Sequence, residues 1–304
     1  MTTQTLPQTH KPTTTFSWID FWVLCLVTVW GVNFVLLKFA TTQMSPLGFN
    51  GLRFGLGTLI MLTLWGFTER HVRIARRDWP AIIALGIIGN TGYQLFFIYA
   101  IKFSSPANIA LIVATSPVWV ALFSALLKND RLTWRSWLGI LISISGLYVI
   151  ITAGGRNIAL GGETLWGDLL MVGGVAAWAL YSVLARPLLK RYSATTFTTW
   201  TMFAGAPPVL LLGIPELLHT NFAAIAGSAW LILIFSATFA IAIGYIIWNA
   251  GVHQLGQART AIYNNLVPVV ALAVSAIFLN DPITPDKLIG AAIVLLGVTL
   301  ARRG

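Results

Sequence analysis

The side chains of this chain that could do chemistry are amides and aromatic rings, set at helical spacing inside long apolar runs. Asn90, Tyr93, Gln94 and Phe97 stand at i, i+3, i+4 and i+7. Tyr245, Trp248 and Asn249 repeat the i, i+3, i+4 pattern. Trp30 and Asn33 are three apart, as are Trp178 and Tyr181. Asn108 and Ser116 lie in a further run, and Tyr263, Asn264 and Asn265 in another. Positions three or four apart share one helix face. An amide in an apolar helix needs a partner from protein, water or ligand. Tying helices together would give each amide only ~0.6–2 kcal/mol. The same residue types recur on matching faces of separate runs, which favours a shared pocket over scattered ties. Such a pocket recognises rather than reacts. Ring pairs contribute ~0.5–1.5 kcal/mol beyond area burial, and amides can hold a carboxylate and an ammonium without a fixed charge.

The groups that catalysis needs are elsewhere. His10, His71, His219 and His253 fall outside the apolar runs or at their ends. Asp20 and Asp168 begin runs, and Glu69, Asp78, Asp130, Glu163, Glu216, Asp281 and Asp286 sit in loops or at run ends. A hydrolase buried in lipid would need a Ser/His pair, paired Asp residues or a metal site at depth. The expectation is therefore no enzyme, no metal and no cofactor. The stretch GNTGY, residues 89–93, has no phosphate-loop signature. Proton-coupled carriers normally use an intramembrane acid or histidine, so transfer without ion coupling is expected. Arg53 is the one deep cation. It could line the pocket, pair within the bundle or snorkel to the interface, and the sequence leaves these open.

The elements that position these residues follow from composition. Of 304 residues, 57 % are hydrophobic and 9 % charged, against roughly a quarter charged in a soluble domain. Lipid must be the solvent for much of this surface. Apolar spans are predicted at 18–39, 45–67, 79–101, 105–127, 134–153, 165–185, 195–214, 228–249, 257–279 and 284–301. Runs this long and continuous are helices rather than barrel strands. Trp18, Trp79 and Trp134 fall at predicted interfaces, where tryptophan belts sit. Pro207 and Pro208 should kink the seventh span, and Gly51, Gly55, Gly86, Gly89 and Gly92 permit close helix packing. Cys25, the only cysteine, lies in the first span and can form no intrachain disulfide. Residues 1–15, polar and rich in Thr and Pro, read as a disordered tail without a cleavable signal. The net charge of +10 would suggest nucleic acid in a soluble protein. Here the cations flank spans, so no nucleic-acid partner is expected. With the N-terminus in the cytoplasm, 14 of the 19 Lys and Arg fall on the cytoplasmic side, four opposite, and Arg53 within a span. That is the positive-inside pattern, with both termini cytoplasmic.

Segment 107–146 aligns without gaps with 258–297, an offset of 151, and 12 of the 40 positions are identical. Pro117/Pro268, Asn129/Asn280, Asp130/Asp281, Gly139/Gly290 and Gly146/Gly297 are among them. Asp20/Asp168 and Trp30/Trp178 match at an offset of 148, and Gly92-Tyr93 matches Gly244-Tyr245 at 152. The fold class predicted is all-α integral membrane, ten transmembrane helices in two five-helix repeats, 16–153 and 154–304. Five is odd, so the second copy is inverted. Lys128, Arg131 and Arg135 become Leu279, Pro282 and Asp286 in the second copy. Inverted repeats characterise secondary transporters, with the substrate at mid-depth between the halves.

The pattern P-x6-S-A, then N-D-x-[LI]-T, then two glycines seven apart resembles the repeat unit of the drug/metabolite transporter superfamily, EamA branch. The resemblance covers residues 16–303, with Asp130 and Asp281 where the family usually has Glu. It implies ten helices in two inverted halves and export of metabolites or drugs from the bacterial inner membrane. The polar and aromatic pattern is most similar to exporters of aromatic amino acids that also handle paraquat-like compounds. The function expected is export of aromatic and other neutral amino acids by alternating access, from a chain whose partners are that small molecule and lipid, with oligomeric state left open, a monomer included. A proton-coupled multidrug or cation exporter, and a ligand-binding membrane receptor, stay open beside it.

Overall fold

The computed structural model describes residues 17–127, 133–152, 163–256, 260, 263–280 and 283–303. The predicted tail 1–15 lies outside the described residues. Every regular element among those described is helical, as lipid requires of a segment that must satisfy its own backbone. Helices α1 (Trp18–Gln43) and α2 (Pro46–Thr68) come first. Pro46 stands in the first turn of α2, where a missing N–H costs nothing. Next come α3 (Trp79–Leu85), a π-helical segment Gly86–Gly92 and α4 (Tyr93–Phe103). Helices α5 (Pro106–Val113), α6 (Ser116–Leu126), α7 (Trp134–Thr152), α8 (Glu163–Leu189) and α9 (Ala194–Leu218) follow. Then α10 (Gly227–Phe235), a second π segment Ser236–Ile243 and α11 (Gly244–Leu255) form one run. A 3-10 turn, Asn264–Leu266, leads into α12 (Val267–Leu279), and α13 (Pro285–Arg303) is last.

Among the described residues, seven helical runs are long and apolar enough to cross a bilayer: Trp18–Gln43, Pro46–Thr68, Arg76–Phe103, Pro106–Leu126, Thr164–Leu189, Ala194–Leu218 and Gly227–Leu255. Shorter apolar stretches occupy Trp137–Gly146 and Asn264–Leu279. Helix α13 carries Asp286 and Lys287 at one end and Arg302 and Arg303 at the other, which shortens its apolar stretch. The expected count of ten rests as well on α7 and the last helix α13, of 19 residues each, and on α12, of 13 residues. Outward faces are apolar: Phe67, Leu211, Leu231 and Ile277 are among the most exposed side chains. A surface of this kind matches hydrocarbon, not water.

The predicted fourth span is broken. Ala114 and Thr115 interrupt it, and Pro117 opens α6. Proline has no N–H to give to the carbonyl four residues back and its ring clashes there. Pro268, at the offset of 151, stands in the first turn of α12 directly after its 3-10 turn. By contrast α9 runs as one continuous helix through Pro207, Pro208 and Pro215.

Packing follows the same offset. Helix α7 lies along α13, and α2 along α9. Helix α8 packs against α4, α5 and α6, while α1 packs against α10, α11 and α12. The α7–α13 crossing depends on glycine. A Cβ on Gly297 would lie 2.4 Å from the Ser143 nitrogen, and one on Gly146 2.7 Å from the Val294 nitrogen. Charged side chains finish the helix ends. Lys38 Nζ donates to the carbonyls of Ile101 (2.9 Å), Lys102 (2.7 Å) and Ser104 (2.8 Å), the open C-terminal end of α4. Glu216 accepts from the Leu47 and Gly48 amides at the start of α2, at 3.0 and 3.1 Å.

Candidate functional site

A cavity enclosing about 560 Å³ of atom-free space, its open side included, lies where α1, α2, α4, α8 and the second π segment converge. Its apolar wall is largely aromatic: Trp30 and Phe34 from α1, Tyr93 and Phe97 from α4, Trp178 from α8 and Tyr245 from α11. Besides the hydroxyls of Tyr93 and Tyr245, its polar side chains are Asn33, Arg53, Gln94, Ser116 and Asn264. Val113, Ser116 and Asn264, which flank the two helix interruptions, lie on this wall.

Eight predicted site residues line the cavity: Trp30, Asn33, Tyr93, Gln94, Phe97, Trp178, Tyr245 and Asn264. Six stand off its wall, each for a local reason. Asn90 lies in the π segment Gly86–Gly92, whose wider turn shifts the face that an α-helical spacing assumes. It faces Gly205 of α9, where an added Cβ would lie 2.6 Å from its own. The Asn108 side-chain nitrogen donates to Asp168 at 3.2 Å, tying α5 to α8. Asn249 donates to Thr198 at 2.8 Å and to the Tyr181 hydroxyl at 3.4 Å, so both belong to a layer behind the wall. Trp248 is in that layer too, its ring centroid 5.5 Å from Trp30 and 6.0 Å from Trp178. The Tyr263 hydroxyl donates to Asp20 at 2.6 Å.

The rings form one cluster. Trp178 meets Trp30 at 6.4 Å, Tyr93 at 5.1 Å, Tyr245 at 5.1 Å and Tyr181 at 5.2 Å between centroids. Trp30 is fixed by its indole N–H, which donates to the Ala240 carbonyl of the second π segment at 2.9 Å.

Arg53 is 1 % exposed, which settles the sequence alternatives: it does not snorkel, and it lines the cavity. Its guanidinium donates to Asn50 at 2.6 Å, Gln94 at 2.5 Å and Ser236 at 3.2 Å. Gln94 passes the network on, donating to the Tyr245 hydroxyl at 2.9 Å. All these partners are neutral, and no carboxylate pairs with Arg53 among the described residues. Arg53, Phe34, Asn50 and Ser236 thus belong to the site or its support and were not among the predicted site residues. The signal for Arg53 was its solitude at mid-span. Asp20 and Asp168, placed by sequence at run starts, are fully buried. Asp168 accepts from Ser104 and Asn108, and Asp20 from Ser17 and Tyr263. Neither lines the cavity.

The sequence model of the EamA-like transporter family matches residues 17–152 and again 165–303. The chain belongs to the EamA-like transporter family. It is 33 % identical over 276 residues to the uncharacterized transporter YyaM of Bacillus subtilis, covering 89 % of each chain. It is 28 % identical to a probable amino-acid metabolite efflux pump of Salmonella typhimurium, over 91 % of this chain and 92 % of that one. A probable terminal-alkyne amino-acid exporter of Streptantibioticus cattleyicolor is 30 % identical over 75 % of this chain and 74 % of its own length. One solved crystal structure overlays with a TM-score of 0.69 at 21 % identity, covering 94 % of this chain and 99 % of that one. At that identity the likeness establishes the fold alone. As an EamA-like protein the chain is a multi-pass membrane transporter of the drug/metabolite type.

Proposed function

We propose that this EamA-like transporter exports aromatic and other neutral amino acids from bacterial cytoplasm by alternating access around the cavity. In this reading ten spans form two inverted five-helix halves, 16–153 and 154–304, with both termini cytoplasmic. Support comes from the packing of offset-related helices on one another, α7 on α13 and α2 on α9. The π segments lie at corresponding places, Gly86–Gly92 and Ser236–Ile243. Broken helices at a shared pocket are a recurring device of carriers.

The single observation that carries the substrate class is the wall itself. Six aromatic residues from four separated parts of the chain, Trp30, Phe34, Tyr93, Phe97, Trp178 and Tyr245, face one space with amides among them. Two of the relatives, a probable terminal-alkyne amino-acid exporter and a probable amino-acid metabolite efflux pump, agree with that chemistry. Transport is read as passive, since the cavity wall carries no carboxylate or histidine among the described residues. Counterflow of Phe, Tyr, Trp, Thr, Met, purines and paraquat into proteoliposomes tests the reading. Saturable flux led by the aromatic amino acids is expected; a panel led by purines, or specific binding without flux, overturns it.

A further inference from the structure

Three residues of the cavity wall each carry a buried polar atom without a hydrogen-bond partner: Arg53 Nε, Asn33 Oδ1 and Asn264 Oδ1. One is a cationic donor and two are neutral acceptors. Buried polar groups are ordinarily satisfied, and an exception calls for an explanation. A guanidinium has five donors and stays charged at any physiological pH. Three of them are used by Asn50, Gln94 and Ser236. Among the described residues the Nε donor has no protein partner, and the charge meets the Phe97 ring, whose centroid is 5.7 Å from the guanidinium carbon, but no carboxylate. A buried charge without a counter-charge is unfavourable unless something supplies one.

Resting on the amino-acid reading above, we propose that these three atoms are the recognition elements for a zwitterionic α-amino acid. The substrate carboxylate accepts from Arg53, and its ammonium donates to Asn33 and Asn264. The aromatic wall takes the side chain. Asn50 and Gln94 are positioning residues, because they hold the guanidinium by two hydrogen bonds while leaving its charge uncancelled. This replaces the sequence expectation that amides alone would hold both charges. It also makes the site selective by charge. A dication such as paraquat brings no counter-charge to Arg53 and adds like-charge repulsion inside a low-dielectric cavity. Paraquat-like compounds are therefore not substrates of this carrier.

The test compares ligand-induced thermal stabilisation with counterflow, using the purified full chain and five probes: phenylalanine, 3-phenylpropionate, phenylalaninamide, phenethylamine and paraquat. Phenylalanine is expected to act at the lowest concentration. 3-Phenylpropionate, which keeps only the carboxylate, should bind more weakly yet still measurably. The amide, the amine and paraquat should be at least tenfold weaker than phenylalanine in both readouts. Arg53→Gln should raise the phenylalanine KM at least tenfold, and Arg53→Lys should recover part of that loss. If either variant fails to fold, the probe series on the unaltered protein still decides. Equal action by phenylalanine and phenylalaninamide, or stabilisation by paraquat, overturns the anchor while leaving aromatic export standing. No aromatic flux, with carboxylates still stabilising through Arg53, overturns the export reading and leaves the anchor. Stabilisation by none of the carboxylates overturns the anchor.

Discussion

The Trp30 and Trp178 rings meet edge to face, with centroids 6.4 Å apart and planes at 85°, although 148 residues separate them in the chain. Edge-to-face contact is favourable for aromatic quadrupoles. Here it also closes the cavity wall between α1 and α8, and both rings face the same space. A ring of the substrate entering that space would extend an existing cluster.

Trp178 should therefore matter for affinity as well as for folding, since its ring also packs on its neighbours within the protein. Trp178→Ala is expected to raise the KM for phenylalanine about tenfold, since two or more ring contacts of ~0.5–1.5 kcal/mol each are lost. Trp200 is the control. It packs on Trp65 and Trp79 at 5.1 and 5.2 Å and does not line the cavity. Trp200→Ala should leave the KM within twofold. Counterflow kinetics of the two variants side by side make the check, and equal losses in both would remove Trp178 from the site.

Much of this was legible from spacing alone, and the exceptions are informative. Tyr93, Gln94 and Phe97 lie on a regular α-helix, so the i, i+1, i+4 geometry holds and all three reach the cavity. Asn90, three residues earlier, sits in a π segment, and the same rule misplaced it. Trp248 and Asn249 share the wall helix with Tyr245 but stand behind it, because periodicity gives a face and not a depth. Arg53 was visible as an isolated cation, and Asn50 stands three residues before it on the same helix, yet its other two partners come from α4 and the second π segment, contacts that no local pattern encodes. Asp20 and Asp168 read as run-end residues by position. Their full burial depends on neighbours far along the chain, Tyr263 for one and Ser104 and Asn108 for the other.

The α7–α13 crossing gives a stability prediction. An added Cβ on Gly297 would lie 2.4 Å from backbone, a contact that no side-chain rotation relieves. Gly297→Ala should lower stability by about 1–3 kcal/mol, the usual cost of overpacking. Gly66→Ala, where nothing lies within 4 Å of the new methyl, should change it little. Thermal denaturation of the detergent-solubilised protein, followed by tryptophan fluorescence, distinguishes the two. Equal melting temperatures would mean that the helices slide apart freely at this crossing.

Inverted halves predict opposite faces for two related connections. Cys25 is the only native cysteine, so Cys25→Ala provides a background for single reporters. Thr133→Cys and Asp286→Cys place one at the start of each related helix, α7 and α13. In intact cells a membrane-impermeant maleimide should label Asp286→Cys and spare Thr133→Cys, and permeabilisation should expose both. Labelling of both in intact cells, or of neither, would rule out the inverted arrangement.

Ion coupling can be read from where the titratable groups stand. A carrier that couples to protons needs a group that takes up a proton at one face and releases it at the other, in contact with the substrate path. Arg53 holds its proton throughout, and the other titratable side chains on the cavity wall are the hydroxyls of Tyr93 and Tyr245, which remain protonated at neutral pH. Of the buried carboxylates, Asp20 and Asp168 are engaged with neighbouring helices away from the wall, and Asp78 is paired with Arg191 and Tyr192. Imposing a pH gradient of either sign across proteoliposomes should therefore change the initial phenylalanine flux by less than twofold and produce no accumulation above equilibrium. Accumulation driven by the gradient, lost in Asp20→Asn or Asp168→Asn, would move the coupling site to those carboxylates and refute passive transfer.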